Sequence, residues 1–428
     1  MCGIAGFHEH TARSPDVLRA MVASIRHRGP DAEGTHESGS VHLGHRRLSV
    51  VDLAASRQPM FSEDRSLVVV YNGEIYNFRE LRNELRALGH RFATNGDTEI
   101  LVQAYAAWGT GMLARLRGMF AFALWDERAK RLFVARDHLG VKPLYYSWDG
   151  RLFAFASELK ALLGHPGVPR EIDLEALNLF LECQFIPAPR SIFRGVHKLL
   201  PGRSLVLENG HLTESVYWAP DFSAKLELED GEAIDLVDAG LKASVQGMLV
   251  SDVPLGAFVS GGVDSSLVAA MMAQSAGRTI DTFNVGFAGG VGESEHEHAA
   301  RVARHIGSNH HTLMVEPTAV LGTLERWVDV FDEPFGDQAA LPTLLLAEFA
   351  RKDVTVALTG EGADEVFGGY ASYGNRVREE RITGVLGARW SPWRSLYRML
   401  PVVARKNRIL KAGARPLAER YATIGNIY

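Results

Sequence analysis

The sequence predicts an α+β layered domain followed by an α/β domain with a parallel sheet, and three observations carry that expectation. The 428 residues are too many for one ordinary domain and suit two, each able to bury its own core. The first part reads as short strands rich in β-branched and aromatic residues, punctuated by Gly, Asn and Asp. The later part alternates helix and strand in strict turn, which implies parallel strands with helices on both faces.

Strands in the first part are expected at 41–43, 67–71, 120–125, 131–135 and 152–156, with helical spacing of apolar residues at 78–88 and 98–108. A stretch rich in Pro and Gly follows, from Gly164 through Pro187, Pro189 and Pro201 to Pro220, with a small strand pair around 204–207. The expected domains are therefore 1–195 and 231–428, joined by a linker at 196–230. In the second domain helices are expected at 232–249, 264–274, 294–306, 317–331 and 342–351. Strands at 253–259, 281–285, 311–315 and 354–358 separate them.

Composition narrows the function. A hydrophobic share of 46%, a charged share of 23% and a net charge of −5 describe a globular chain that acts on small molecules. They exclude a disordered chain or one that coats nucleic acid. The only cysteines are Cys2 and Cys183, so there is no disulfide framework and a cytoplasmic location is expected. No apolar run reaches the roughly 18 residues that span a bilayer, and the first residues lack the order of a signal peptide. Cys183, in an apolar helical stretch, is expected to be a buried inert thiol.

Cys2 carries the first chemical signal. Removal of Met1 would leave it with both a thiol and a free α-amine, whose pKa of about 8 lies well below the roughly 10.4 of lysine. Nucleophile and general base then sit on one residue. Its company gives this weight: Met1-Cys2-Gly3-Ile4-Ala5-Gly6, Arg26-His27-Arg28-Gly29-Pro30-Asp31, Arg47-Leu48-Ser49-Val50-Val51-Asp52, Asn72-Gly73-Glu74-Ile75-Tyr76-Asn77 and Gly96-Asp97-Thr98-Glu99. In this order the five motifs resemble class II glutamine amidotransferases, and the whole resembles the glutamine-hydrolysing asparagine synthetases.

That resemblance implies an N-terminal-nucleophile fold with αββα layers, in which Cys2 attacks the side-chain amide of glutamine. It makes the Asn72 side chain and the Gly73 N–H the donors to the oxyanion, each such donor being worth about 2.7–4 kcal/mol. Glutamine's own carboxylate and ammonium need a cation and an anion; Arg47 and Asp97 are the candidates, with Glu74 nearby and Leu48, Ser49, Val50 and Val51 completing the pocket. Taken alone, Asn72-Gly73 after a strand reads as a hairpin turn. Loop scaffolding remains an equal reading for Arg28, Asp31 and Asp52.

The second domain carries Ser260-Gly261-Gly262-Val263-Asp264-Ser265-Ser266 after an apolar strand and at the opening of a helix. Such a loop presents N–H groups and hydroxyls to a pyrophosphate; the plain alternative is a Ser-Gly turn with Asp264 as helix cap. It resembles the loop of ATP pyrophosphatases, of the adenine-nucleotide-hydrolase type. Thr359-Gly360-Glu361-Gly362-Ala363-Asp364-Glu365 resembles the synthetase family's partner motif. The resemblance gives Glu361 a part in forming an acyl-adenylate, and Asp264 and Asp364 the metal. So many carboxylates beside a triphosphate require Mg²⁺. Phe258, Val285, Thr359 and Gly360 are expected around adenine. Asp332-Glu333-Pro334, Asp337 and 340–343 are expected near the acceptor, or simply as caps and turns. His296 and His298, two apart on a helix, point apart and read as a solvated face rather than a zinc site.

The resemblance covers the chain to about Tyr373, and full-length synthetases continue well past Tyr428. A further helical block is expected there, with a lysine for the phosphates. Residues 389–428 hold nine Lys or Arg against one acid, Glu419, interleaved with apolar residues at helical spacing, and are expected to form amphipathic helices. The resemblance thus implies a ligase that uses ATP, Mg²⁺, glutamine and an acceptor carboxylate, foremost aspartate, with a homodimer also allowed. A glutaminase without synthetase activity, amidation of another carboxylate, and a glutamine or nucleotide sensor are the alternatives.

Overall fold

The computed structural model describes residues 2–9, 15–287, 295–316 and 322–385. Its first strands are β1 (Gly3–His8), β2 (Ala32–Ser38), β3 (Val41–Arg47), β4 (Met60–Phe61), β5 (Leu67–Ile75) and β6 (Gly118–Asp126). They continue with β7 (Arg131–Arg136), β8 (Tyr145–Trp148), β9 (Phe153–Ala156), β10 (Val196–Lys198), β11 (Arg203–Glu208) and β12 (His211–Val216). These form two six-stranded sheets, ordered β10-β8-β9-β1-β3-β2 and β12-β11-β7-β6-β5-β4.

Side chains that alternate along each strand give each sheet two apolar faces, and both are covered. On β5, Val68 and Val70 meet Ile4, Val41 and Leu43 of the facing sheet. Val69 and Tyr71 point the other way, onto helices α2 (Phe78–Ala87) and α3 (Thr98–Trp108). On β1, Ile4 lies between the sheets, whereas Ala5 and Phe7 pack on α1 (Pro15–Ser24) with α4 (Leu159–Leu162) and α5 (Leu174–Cys183). The layers run helix, sheet, sheet, helix, as the family resemblance implied.

One alternative reading falls away and one expectation changes. Asn72 and Gly73 do not form a hairpin turn; they lie inside β5, opposite Ala121 and Phe120 of β6. Residues 196–216, expected to begin the linker, are strands of the N-terminal sheets: β11 closes the open edge of β7, with Val206 opposite Phe133. The Pro and Gly residues there mark the turns between strands, because an exposed edge of unpaired N–H and C=O groups recruits the next available strand.

The second region runs α6 (Asp230–Met248), β13 (Leu255–Phe258), α7 (Val263–Ser275), β14 (Asp281–Phe287), α8 (Glu295–Ile306), β15 (Asn309–Val315) and α9 (Leu324–Val330). It continues with α10 (Ala340–Ala350), β16 (Val356–Leu358), α11 (Ala363–Phe367) and α12 (Ala371–Val385). Its sheet is wholly parallel, ordered β15-β14-β13-β16. Ala269 and Met272 of α7 and Ala299 of α8 cover one face, and Leu346 and Ala350 of α10 pack with Phe283 on the other. Because β13 comes first in the chain yet sits between β14 and β16, the connections leave in opposite directions and open a crevice at the strands' carboxyl ends. Residues 317–321 of one expected helix, and all of 389–428, lie outside the described residues. No described helix is long and apolar enough to cross a membrane.

Candidate active sites

The start of β1 sets Cys2 at the rim of a cavity of about 540 Å³. Arg28 fixes its backbone, donating from Nε to the Cys2 carbonyl at 2.9 Å. The Leu48 N–H approaches Sγ at 3.4 Å. Burial pushes the Cys2 thiol above its ordinary value, and that N–H opposes the shift.

Arg47, Leu48, Val50, Val51, Asn72, Gly73, Glu74 and Asp97, all named from the sequence, line the same cavity. Ser49 does not; its N–H donates to Asp31 at 2.8 Å, which ties the loop to the preceding motif. Arg47 lines the cavity but spends its guanidinium on the carbonyls of Val51, Asp52 and Leu53, at 3.3, 2.8 and 3.0 Å. Asp52 collects the amides of Asn95 and Gly96 at 2.8 and 3.1 Å, so it scaffolds the loop.

Asn72 is 1% exposed, and neither its Oδ1 nor its Nδ2 has a hydrogen-bond partner. A buried amide left unsatisfied is costly, and here it faces the cavity that Cys2 enters. Beside it only glycine fits: a methyl group at Gly73 would lie 2.2 Å from the Met119 carbonyl oxygen. Asp97 Oδ2 accepts from the Tyr71 hydroxyl at 2.8 Å and the Ile75 amide at 3.0 Å, which offset the burial that pushes its carboxyl up. Glu74 is pushed up to about 7 by burial and then by the charge of Asp97, with Lys142 pulling the other way.

Lys142 was missed in the sequence. It is 4% exposed in the cavity wall, its ammonium held below the usual lysine range by burial and supported by Glu74. Asp137 builds its turn, accepting from the amides of Leu139, Val141, Lys142 and Phe120. The available signal was a lysine in a Gly-Val-Lys-Pro turn at the end of an apolar strand.

In the second region the two Gly-rich motifs meet. Gly261 has φ +86°, and a methyl group there would lie 2.5 Å from His298 Cβ, so the loop turns directly beneath α8. Gly262, not Asp264, is the N-cap of α7, and no side chain caps it. This removes the reading of Asp264 as a cap. Ser260 and Ser265 join hydroxyls at 2.9 Å, and the Ser266 hydroxyl is enclosed with no partner. Gly360 touches the start of α7, a methyl group there lying 2.7 Å from the Ser265 nitrogen. Glu361 follows on an exposed turn, its amide 3.3 Å from Thr359 Oγ1. Phe258 packs at the edge of the Phe283 cluster, and Val285 is half-buried in β14.

Asp264, in the first turn of α7 and against Gly360, and Asp364, in α11 four residues after Gly360, are both half-buried. Among the described residues no group of three or more His, Cys, Asp or Glu could hold a metal alone. Two carboxylates suit Mg²⁺, which commonly takes one or two such ligands together with substrate phosphates. His296 and His298 are half-buried against Gly286 and Gly261, not on a freely solvated face. Cys183 is half-buried, short of the full burial expected. Asp332 and Glu333 face lysines of the N-terminal half: Lys160 at 3.2 Å, and Lys198.

Together these features define an N-terminal-nucleophile glutamine amidotransferase joined to a nucleotide-binding synthetase domain. Residues 1–218 match the glutamine amidotransferase domain family, and residues 236–423 match asparagine synthase. Asparagine synthetase (glutamine-hydrolysing) 1 of Bacillus subtilis is 36% identical over all of this chain and 67% of its own length. A Mycobacterium bovis protein provisionally named as the same enzyme is 38% identical, over 98% of this chain and 68% of its own. The chain thus spans about two thirds of these relatives. It belongs to the family of glutamine-hydrolysing asparagine synthetases, which are ligases.

Proposed function

We propose that the chain hydrolyses glutamine at Cys2 and uses the ammonia to amidate an ATP-activated carboxylate, with L-aspartate as acceptor and L-asparagine, AMP and pyrophosphate as products. The observation that carries this reading is the cavity beside Cys2. Its lining includes Thr355, Val356, Ala357 and Thr359, from β16 and the residues on either side of it. Ammonia released at Cys2 enters a space already bordered by the nucleotide crevice.

In the first half-reaction Sγ attacks the amide carbon and ammonia leaves. Water then cleaves the thioester to glutamate, and Asn72 Nδ2 and the Gly73 N–H meet the oxyanion in each step. In the second, an acceptor carboxylate oxygen attacks the α-phosphorus and pyrophosphate departs; ammonia then attacks the acyl carbon and displaces AMP. Ser260, Ser265, Ser266 and the amides of Gly261 and Gly262 hold the phosphates, with Glu361 beside the reacting centre. Asp264 and Asp364 would hold Mg²⁺, which would neutralise charge on the phosphates. Residues 1–218 and 236–423 act as the two catalytic units.

The test is glutamine labelled with ¹⁵N in its amide, given with Mg·ATP, aspartate and an excess of unlabelled ammonium. Asparagine carrying undiluted label is expected. Glutamate without AMP would sink the ligase reading.

A further inference from the structure

An unbroken line of charged contacts runs from the Cys2 backbone into the synthetase half. Arg28 holds the Cys2 carbonyl at 2.9 Å and reaches Glu158 Oε1 at 2.7 Å. Glu158 meets Lys160 at 3.4 Å, and Lys160 meets Asp332 at 3.2 Å. The Lys160 N–H, at the start of α4, also donates to Asp332 Oδ2 at 2.8 Å. The side chains are 10%, 14%, 25% and 13% exposed in that order, so these are enclosed contacts, not solvated ones that salt would screen. Burial alone would push Glu158 up, yet hydrogen bonds from His27 and Arg28 hold it at about 2. It stays charged.

On the synthetase side the segment after α9 is pinned at several points. Glu333 pairs with Lys198 and accepts from the Ile192 amide at 3.2 Å, and the Gly336 amide donates to the Gln184 carbonyl at 2.7 Å. The next residues are Asp337, whose Oδ1 accepts from the Ala339 amide at 2.9 Å, and α10. Asp332 and Glu333 belong to the stretch expected near the acceptor, so the line of contacts ends within that stretch. A ligand that displaced Asp332 would act directly on Lys160, and the chain of contacts leads from there to Cys2.

We propose that Arg28, Glu158, Lys160 and Asp332 form a positioning relay that makes the placement of Cys2 respond to occupancy of the synthetase crevice. It rests on Cys2 being the nucleophile. Packed networks of this kind carry coupling only where both ends bias one arrangement, and the coupling must then be reciprocal.

The experiment uses the full chain and two readouts: glutamate release, and the rate at which iodoacetamide alkylates Cys2, followed by mass spectrometry. Each is measured with and without Mg·ATP and aspartate. The wild type is expected to change by about fivefold or more on at least the alkylation readout, the lower range for coupled sites. Lys160→Met and Asp332→Asn should each bring that ratio to about one, the double variant no further, and Lys160→Arg should restore it. Lys198→Met breaks the neighbouring clamp but not the relay, and should keep the ratio. Equal loss in Lys198→Met would reduce the relay to mere docking and overturn it, as would a wild-type ratio of one on both readouts. Glutamate release that survives Cys2→Ala would instead remove the nucleophile assignment, and the relay with it.

Discussion

The Gly360 α-carbon and the Ser265 amide are in backbone contact: a methyl group on Gly360 would lie 2.7 Å from the Ser265 nitrogen and 3.0 Å from Ser265 Cα. The two nucleotide motifs, nearly a hundred residues apart in sequence, therefore share one wall of the crevice. Neither can shift alone.

Gly360→Ala should consequently push the start of α7, and the phosphate loop with it, away from the Thr359-Gly360 turn. Ammonia-supported AMP formation is expected to fall by more than about tenfold, roughly 1.4 kcal/mol of transition-state stabilisation. Glutamine hydrolysis should fall far less. Parallel assays of pyrophosphate and glutamate check this, and equal losses would contradict it.

Asn72 gives a sharper test, because stability and activity should part. Its amide makes no hydrogen bond to another protein group, so Asn72→Ala breaks none. The urea midpoint is expected to stay level or rise. The kcat for glutamine hydrolysis should drop by about 10²–10³, the usual consequence of losing one oxyanion donor. A variant that lost both stability and activity would mark Asn72 as structural.

Legibility in the sequence followed the physics of each element. The helix at Thr98–Trp108 was readable to the residue, because a packed helix writes its 3.6-residue period into the chain. β1 was not, since Gly-Ile-Ala-Gly-Phe-His is buried along its whole length and shows no alternation. Motif spacing located the walls of the Cys2 cavity, while Lys142 escaped because turns carry no period. Asp332 and Glu333 looked like capping or acceptor residues, and only tertiary contact with Lys160 and Lys198 gives them their partners.

Lys142 lies in the wall of the Cys2 cavity and supports the charge on Glu74. Lys142→Met should therefore raise the Glu74 pKa further and shift the pH profile of kcat/KM for glutamine to the alkaline side. At neutral pH a loss of about tenfold is expected, roughly 1.4 kcal/mol. An unshifted profile would assign Lys142 to packing alone.

The Glu74 carboxyl also makes stability depend on pH in a direction opposite to that of an ordinary paired carboxylate. Its folded pKa of about 7 lies above the ordinary 4.5, so between these values the folded state binds more protons than the unfolded one. Stability from this residue is full below about pH 4.5 and is lost as pH rises through about 7. From about pH 4 to pH 8 the wild type should lose on the order of 2–3 kcal/mol more than Glu74→Gln, which has no proton to release. Urea denaturation of both proteins across that range measures the difference. Parallel curves would show that Glu74 titrates as an ordinary carboxyl.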